Sequence, residues 1–366
     1  MPIPVANLKP SLEATASEWQ ARLAEMFERG QFILGPQVAA FEREFAAAMG
    51  ARQALGVGTG TAALELALRA AGVSGEVLTT PLTALFTGIA ILTAGARPRF
   101  ADIDPETLQL DPDDAGNRAG KKTAALLPVH LYGQPCRIDR FSRLARALGV
   151  PLVQDACQAH GAHFLGRPLT DFSPLVAYSF YPTKNLGCLG DGGAIATRSA
   201  AMARRLLLLR DGGRQGGQVS HAFGINSRLD EMQCCYLRAF LPHLADWTAQ
   251  RARLASVYDQ ALADCPGVRL VKRYPCSVHH LYVIRAQRRD RLREHLAGKG
   301  VGTAIHYPVP LHLQPTFRDC GARRGDLPQA EKACREIVSL PLWPYMRESA
   351  ALEVAGRIRE FYQAKR

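Results

Sequence analysis

Three stretches of the 366-residue chain hold residues whose types and spacing could do chemistry. In SFYPTKNLGCLGDGG (179–193) a single amine, Lys184, follows an aromatic run, with the hydroxyls of Ser179 and Thr183 nearby and glycines after it that let backbone approach closely. An amine held among such groups is suited to condense with an aldehyde, although any one lysine can equally be a solvated surface charge. In VQDACQAHGAH (153–163) Asp155 and Gln158 stand just past an apolar run, where a carboxylate can face a cationic ring nitrogen or a metal. The plain alternative is that Asp155 caps the next helix. His160 and His163, three apart, are possible metal ligands, but no companion follows at a convincing spacing. In GVGTGTAALELALRAAG (56–72), Gly60, Thr61 and Ala62 open an Ala/Leu-rich helix whose free N–H groups would cradle a phosphate. Gly58, Gly60 and Ala63 also fit the dinucleotide pattern G-x-G-x-x-G/A, but lack its acidic residue about twenty positions on. A tight strand-to-helix turn with no ligand is the third reading of this segment.

Taken together, a phosphate cradle, a carboxylate and a Schiff-base amine are what pyridoxal phosphate requires. The phosphate would anchor the ring, Asp155 would keep the pyridine nitrogen protonated, and Lys184 would hold the aldehyde until an amino donor displaces it.

These residues need elements to position them. EVLTTP, RPRFADI, AALLPVH, VPLVQDA and LVAYSF read as short buried strands, with helical patterns such as 61–71 and 138–148 between them. Such alternation argues for a mainly parallel sheet covered by helices on both faces, with ligands beyond the carboxyl ends of the strands. After the glycine-rich DGGRQGGQ (211–218), Ser227 and Asp230 mark a helix start, and long helices run to about residue 262. The remainder reads as strands at 279–286 and 302–309 and helices near 289–299 and 328–338. The expected architecture is an α/β chain of two domains, residues 1–245 and 246–366.

Composition excludes other classes. The longest apolar stretch, LFTGIAILTAG (85–95), is too short to span a bilayer, and no leader pattern opens the chain, so a cytoplasmic protein without a membrane partner is expected. Nine cysteines, an odd number without a C-x-x-C pair, argue for reduced, mostly buried thiols and against a disulfide framework or zinc site. The formal charge of +12 is spread over amphipathic segments, so it does not mark a nucleic-acid partner, but it favours an anionic small molecule such as a nucleoside diphosphate derivative.

Seven segments, GTGTAALELALRAAG, FADIDPETLQLDP, LLPVHLYGQP, VPLVQDACQAHGA, SFYPTKNLGCLGDGGAI, GINSRLDEMQ and IHYPVPLHLQPTF, resemble in order and spacing the DegT/DnrJ/EryC1/StrS family of fold-type I, pyridoxal-phosphate-dependent sugar aminotransferases. The resemblance runs from about residue 30 to 345. It implies a large three-layer α/β/α domain with a smaller C-terminal α/β domain. It places Thr61 and Ala62 at the phosphate with Gly60, Asp155 at the pyridine nitrogen, Gln158 beside the ring hydroxyl and Ser179 on the phosphate. It makes Lys184 the Schiff-base lysine, where related sugar dehydratases carry histidine. Asn226 would reach the cofactor phosphate of the neighbouring subunit, making a homodimer necessary for a complete site. Where the family has an aromatic residue stacking on the ring, this chain has Ala84 and Leu85, so Phe86 or aliphatic side chains alone would back it. The implied reaction moves an amino group from an amino acid, L-glutamate foremost, to a nucleotide-linked keto-sugar, with a dTDP-linked 3-keto-6-deoxyhexose preferred and His306 and Tyr307 touching the sugar. A 4-keto acceptor or a uridine nucleotide stays open. The competing classes are a catalytically silent regulator that binds pyridoxal phosphate or DNA, and a nicotinamide-dependent dehydrogenase built on Gly58, Gly60 and Ala63.

Overall fold

The computed structural model describes residues 2–215 and 217–363. Helices α1 (Lys9–Ala14), α2 (Ala16–Arg29) and α3 (Pro36–Ala48) precede the first strand, β1 (Gln53–Val57). Strand and helix then alternate through α4 (Gly60–Ala70), β2 (Glu76–Thr79), α5 (Leu85–Thr93), β3 (Arg97–Phe100), α6 (Pro112–Arg118), β4 (Thr123–Leu127), α7 (Ile138–Leu148) and β5 (Val153–Asp155). A small hairpin of β6 (His163–Phe164) and β7 (Arg167–Pro168) leads to β8 (Leu175–Ser179), β9 (Gly193–Thr197) and α8 (Ala200–Arg210). The helix pattern of α7 is typical: Ile138, Phe141 and Ala145 form its buried stripe, Asp and Arg its outer face, and Gly149 ends it at φ 67°.

Parallel bridges Leu126↔Leu152 and Val129↔Asp155 place β4 beside β5, so the strands run β3-β2-β4-β5-β8-β9-β1. Only β9 runs against the others. The continuous apolar runs have a simple cause: successive residues enter different cores. In β8, Val176 and Tyr178 join a core with Phe41, Phe45 and Phe141, whereas Leu175 and Ala177 join one with Leu64, Leu66 and Leu206. Phe45 meets Tyr178 and Phe180 edge-on at 5.2 Å, fixing the strand end that precedes Lys184.

Helices α9 (Glu231–Phe240) and α10 (Leu244–Leu262) lead to β10 (Val268–Leu270), β11 (Tyr282–Ala286), α11 (Arg289–Gly298), α12 (Pro328–Glu336), β12 (Ile337–Leu340) and α13 (Glu348–Gln363). The antiparallel sheet β10-β11-β12 packs with α10, α11 and α13 on a third core around Tyr258, Tyr282, Ile284 and Ile358, which Ile3 also enters. We propose that the chain divides near residue 245, where α10 passes from the core holding Leu244 and Trp247 to the one holding Leu254 and Tyr258. Two local expectations change. Residues 302–309 make only the bridge Ala304↔Ser339, because Pro308 and Pro310 have no N–H to give a ladder. The helix expected to reach residue 338 stops at Glu336, since Ile337 and Val338 are buried in a strand paired with β11. Among the described residues no helix is long and apolar enough to cross a membrane.

Candidate active site

The carboxyl ends of β1, β4, β5 and β8 bring the sequence motifs together. Beyond β1, Thr59 caps α4 by accepting the Ala62 N–H at 3.0 Å. The N–H groups of Gly60 and Thr61 find no acceptor among the described residues, which leaves the helix start open to an anion. Glycine is required at 60 because a Cβ there would stand 2.6 Å from Ser179 Cβ and 3.2 Å from Cys157 Sγ. Ser179, at the end of β8, is thereby set against the α4 N-terminus. At Gly193 in β9 a Cβ would lie 2.5 Å from the Thr59 carbonyl, so this strand is pressed on the same loop.

Asp155 ends β5 with its carboxylate buried. One oxygen accepts the Thr87 hydroxyl at 2.8 Å and the other the Cys157 N–H at 3.1 Å. Thr87 in turn lies 3.0 Å from the Thr83 hydroxyl. The hydrogen-bond partners of this buried carboxyl group among the described residues are neutral, and no ion pair occupies it. Lys184 lies in the turn after β8, its N–H bonded to the Tyr181 carbonyl at 2.8 Å. Burial pushes its amine below the ordinary lysine value, and the negative charge at Asp155 opposes that only in part. Its ammonium makes no hydrogen bond or ion pair among the described residues. The turn is pinned by Asn185, whose amide donates to the Val278 carbonyl at 2.8 Å and whose carbonyl lies 3.2 Å from His280 Nδ1.

Gln158 joins the two ends of the chain. Its carbonyl accepts the Tyr132 N–H at 2.6 Å, and its amide donates to the Tyr307 hydroxyl at 3.1 Å. The Tyr132 hydroxyl donates to the His306 carbonyl, and His306 Nδ1 lies 2.8 Å from the Ser339 hydroxyl. Burial, helped by the Lys184 charge, lowers His306 to about 4, so its ring is neutral near pH 7. Asn226 is exposed, and its side chain makes no hydrogen bond among the described residues; its neighbour Ser227 accepts the Gly58 N–H at 3.0 Å. His160 and His163 do not come together as a ligand pair: His160 is buried against Tyr178 and Phe180, while His163 is exposed. Thr87 and Ala84 both border the start of α5, and Phe86 is exposed. Thr87, Tyr132, Asn185 and Cys157 were missed in the sequence reading. Only Asn185, next to the lysine, and Cys157, inside the aspartate motif, carried a local signal.

Comparison with known proteins decides what this assembly is. The model of the DegT/DnrJ/EryC1/StrS aminotransferase family matches residues 13–359. The chain belongs to this family. A Streptomyces venezuelae protein named dTDP-3-amino-3,4,6-trideoxy-alpha-D-glucose transaminase is 40% identical over 98% of this chain and 96% of its own length. A Geobacillus stearothermophilus protein named pleiotropic regulatory protein is also 40% identical, over 99% of each chain. The crystal structure of S. venezuelae DesV in complex with a ketimine intermediate superposes with a TM-score of 0.96 at 39% identity, covering 100% of both chains. The fold is therefore that of the pyridoxal-phosphate-dependent aminotransferases of this family, and pyridoxal 5′-phosphate is its cofactor.

The residues present fit that cofactor. The open α4 amides beside Ser179 suit its phosphate, the buried Asp155 with neutral partners suits its ring nitrogen, and the lowered amine of Lys184 suits its aldehyde. These residue roles are our proposal.

Proposed function

We propose that this aminotransferase carries the amino group of an amino acid, L-glutamate foremost, to the 3-keto group of a dTDP-linked 6-deoxyhexose. It is a nucleotide-sugar aminotransferase; the carbon, sugar, nucleotide and donor are what the proposal adds. The observation that carries it is Lys184, an amine that burial keeps below its ordinary value, set among the α4 cradle, Ser179 and Asp155. The name of the S. venezuelae relative supports the 3-amino product, and Lys184 is the residue by which the family resemblance implies an aminotransferase.

Bound pyridoxal 5′-phosphate supplies an aldehyde to receive the amino group and a ring that withdraws electrons from the carbon losing its proton. Lys184 Nζ, once free, accepts the proton from the donor's α-carbon and returns it on the other side of the transfer. Asp155, oriented by the hydroxyl of Thr87 and the N–H of Cys157, would face the ring nitrogen and hold a proton there. The open N–H groups of Gly60 and Thr61, with Ser179, would hold the phosphate, whereas the Ala62 N–H, expected to join them, is already taken by the Thr59 hydroxyl. Tyr307 accepts from Gln158, so its own O–H proton is free to donate to a sugar oxygen, and His306 beside it is neutral. Asn226 completes the site of a second subunit. Its exposure, together with that of Phe86, Tyr181 and Phe223, supports a homodimer. Nine free thiols suit a cytoplasmic setting.

A second reading has one specific support, the regulatory name of the Geobacillus relative at the same identity. Incubating the holoenzyme with nitrogen-labelled L-glutamate and dTDP-3-keto-6-deoxyglucose separates the two. The proposal expects labelled amino sugar and 2-oxoglutarate in equal amounts. Turnover with only a 4-keto or uridine-linked sugar would overturn the substrate assignment, and no 2-oxoglutarate at all would overturn the enzymatic one.

A further inference from the structure

A second cleft, of about 730 Å³, lies away from the lysine site, between the ends of β10 and β11, the start of α11 and the surface of α12. Six arginines and one lysine line it, against two carboxylates. Both carboxylates are engaged: Glu336 with Arg285 at 2.6 Å and Asp290 with Arg289 at 2.6 Å. Arg269, Arg288, Arg291, Lys332 and Arg335 make no ion pair among the described residues.

Five such cations facing one concavity repel each other, and a cleft lined by one sign of charge focuses its field on whatever enters. Four of the five are arginines, whose planar fork pairs with two oxygens of a phosphate at once. Arg288 is held ready for this. Its backbone is left-handed at φ 52°, and its guanidinium lies over Phe361 at 4.8 Å and Tyr362 at 5.5 Å, a stacking that leaves its edge donors available. The cleft also has the size of a small-molecule site.

We propose that this cleft binds a small anion carrying two or more linked phosphates, such as a free nucleoside di- or triphosphate, at a site separate from the transamination centre. The remaining lining, Gly267, Val268, Ala286 and Gln287, offers little apolar surface to hold a peptide or lipid. Concavity and small volume favour a compact ligand over a duplex laid along a surface.

The test is calorimetric titration of inorganic triphosphate into the holoenzyme at about 0.15 M salt, where weak surface pairing is screened. One saturable site per chain is expected. Changing Lys332→Gln with Arg335→Gln on the exposed face of α12 should weaken it about tenfold or more, the loss that goes with removing charge-assisted hydrogen bonds. Arg288→Gln, from the opposite wall, should do the same, and both variants should keep the wild-type transamination rate. Three results would overturn the proposal: no saturable binding, equal affinity in wild type and both variants, or a duplex oligonucleotide binding more tightly than triphosphate with the same dependence on these residues.

Discussion

Gly58 and Gly60 are equivalent in the dinucleotide pattern but not in the structure, and exchanging each for alanine separates the two readings. At Gly60 the new Cβ would stand 2.6 Å from Ser179 Cβ and 3.2 Å from Cys157 Sγ. Carbon atoms prefer about 3.5–4.0 Å, so the start of α4 must retreat from β8 by about 1 Å. That retreat opens the gap between the α4 amides and Ser179. Phosphate hydrogen bonds of about 2.7–2.9 Å would stretch beyond useful length, and each charge-assisted bond lost costs about 1.5–3 kcal/mol. Pyridoxal phosphate affinity should therefore fall about ten- to a hundredfold in Gly60→Ala. Thermal stability should change little, because overpacking of about 1–3 kcal/mol is partly offset by up to about 1 kcal/mol from alanine's better helix propensity. At Gly58 the nearest atom to a new Cβ is Ser227 Oγ at 3.5 Å, an ordinary contact, so Gly58→Ala should bind the cofactor as wild type does. Cofactor affinity is read by titrating the apoprotein and following fluorescence, and stability by the melting of the same samples. Wild-type affinity in Gly60→Ala, or an equal loss in both variants, would refute the cradle geometry.

Other outcomes follow from the same structure. Because burial lowers the Lys184 amine, its acylation in the apoprotein, followed by peptide mass spectrometry, should rise with pH to a midpoint below 10.5; a midpoint at or above that contradicts the buried placement. His130, buried and lowered from 6.5 to about 4, accepts the Cys136 N–H at Nδ1 and lies 3.0 Å from Gln154 at Nε2. Its neutral form belongs to the folded state, so its contribution is complete above pH 6.5 and is lost as pH falls towards 4. That contribution is at most about 3 kcal/mol, and urea unfolding of His130→Asn should show a shallower loss of stability across this window. If Asn226 serves the neighbouring subunit, mixing unfolded Lys184→Ala and Asn226→Ala chains and refolding them should restore activity towards about a quarter of wild type, one good site in each hybrid dimer. No restoration would place Asn226 in its own subunit's site.

What the sequence shows is governed by how local each signal is. Lys184, Asp155 and the Gly60–Ala62 helix start are legible because each closes or opens an element, and their chemistry lies in residues next to one another. Thr87 is not, since its importance comes from a bond to Asp155, which is 68 residues away. Tyr132 is similar, reaching His306 across 174 residues. The sheet was legible where apolar runs are long, but β1 and β9, rich in glycine and alanine, gave no such run. The segment 302–309 has strand-like residues, yet its geometry is set by prolines and by the bonds of His306 and Tyr307 to Tyr132 and Gln158 in the turns after β4 and β5.

The central claim is that Lys184 is the amine that holds and releases pyridoxal phosphate. Its most direct test is the near-visible absorption of the holoenzyme before and after L-glutamate, with borohydride reduction and peptide mapping of the product, in wild type and Lys184→Ala. The account predicts that reduction fixes the cofactor to Lys184 and that glutamate shifts the wild-type band and abolishes this attachment. The variant should neither become labelled nor convert at the wild-type rate. Attachment at another lysine, or unimpaired conversion in Lys184→Ala, would contradict it.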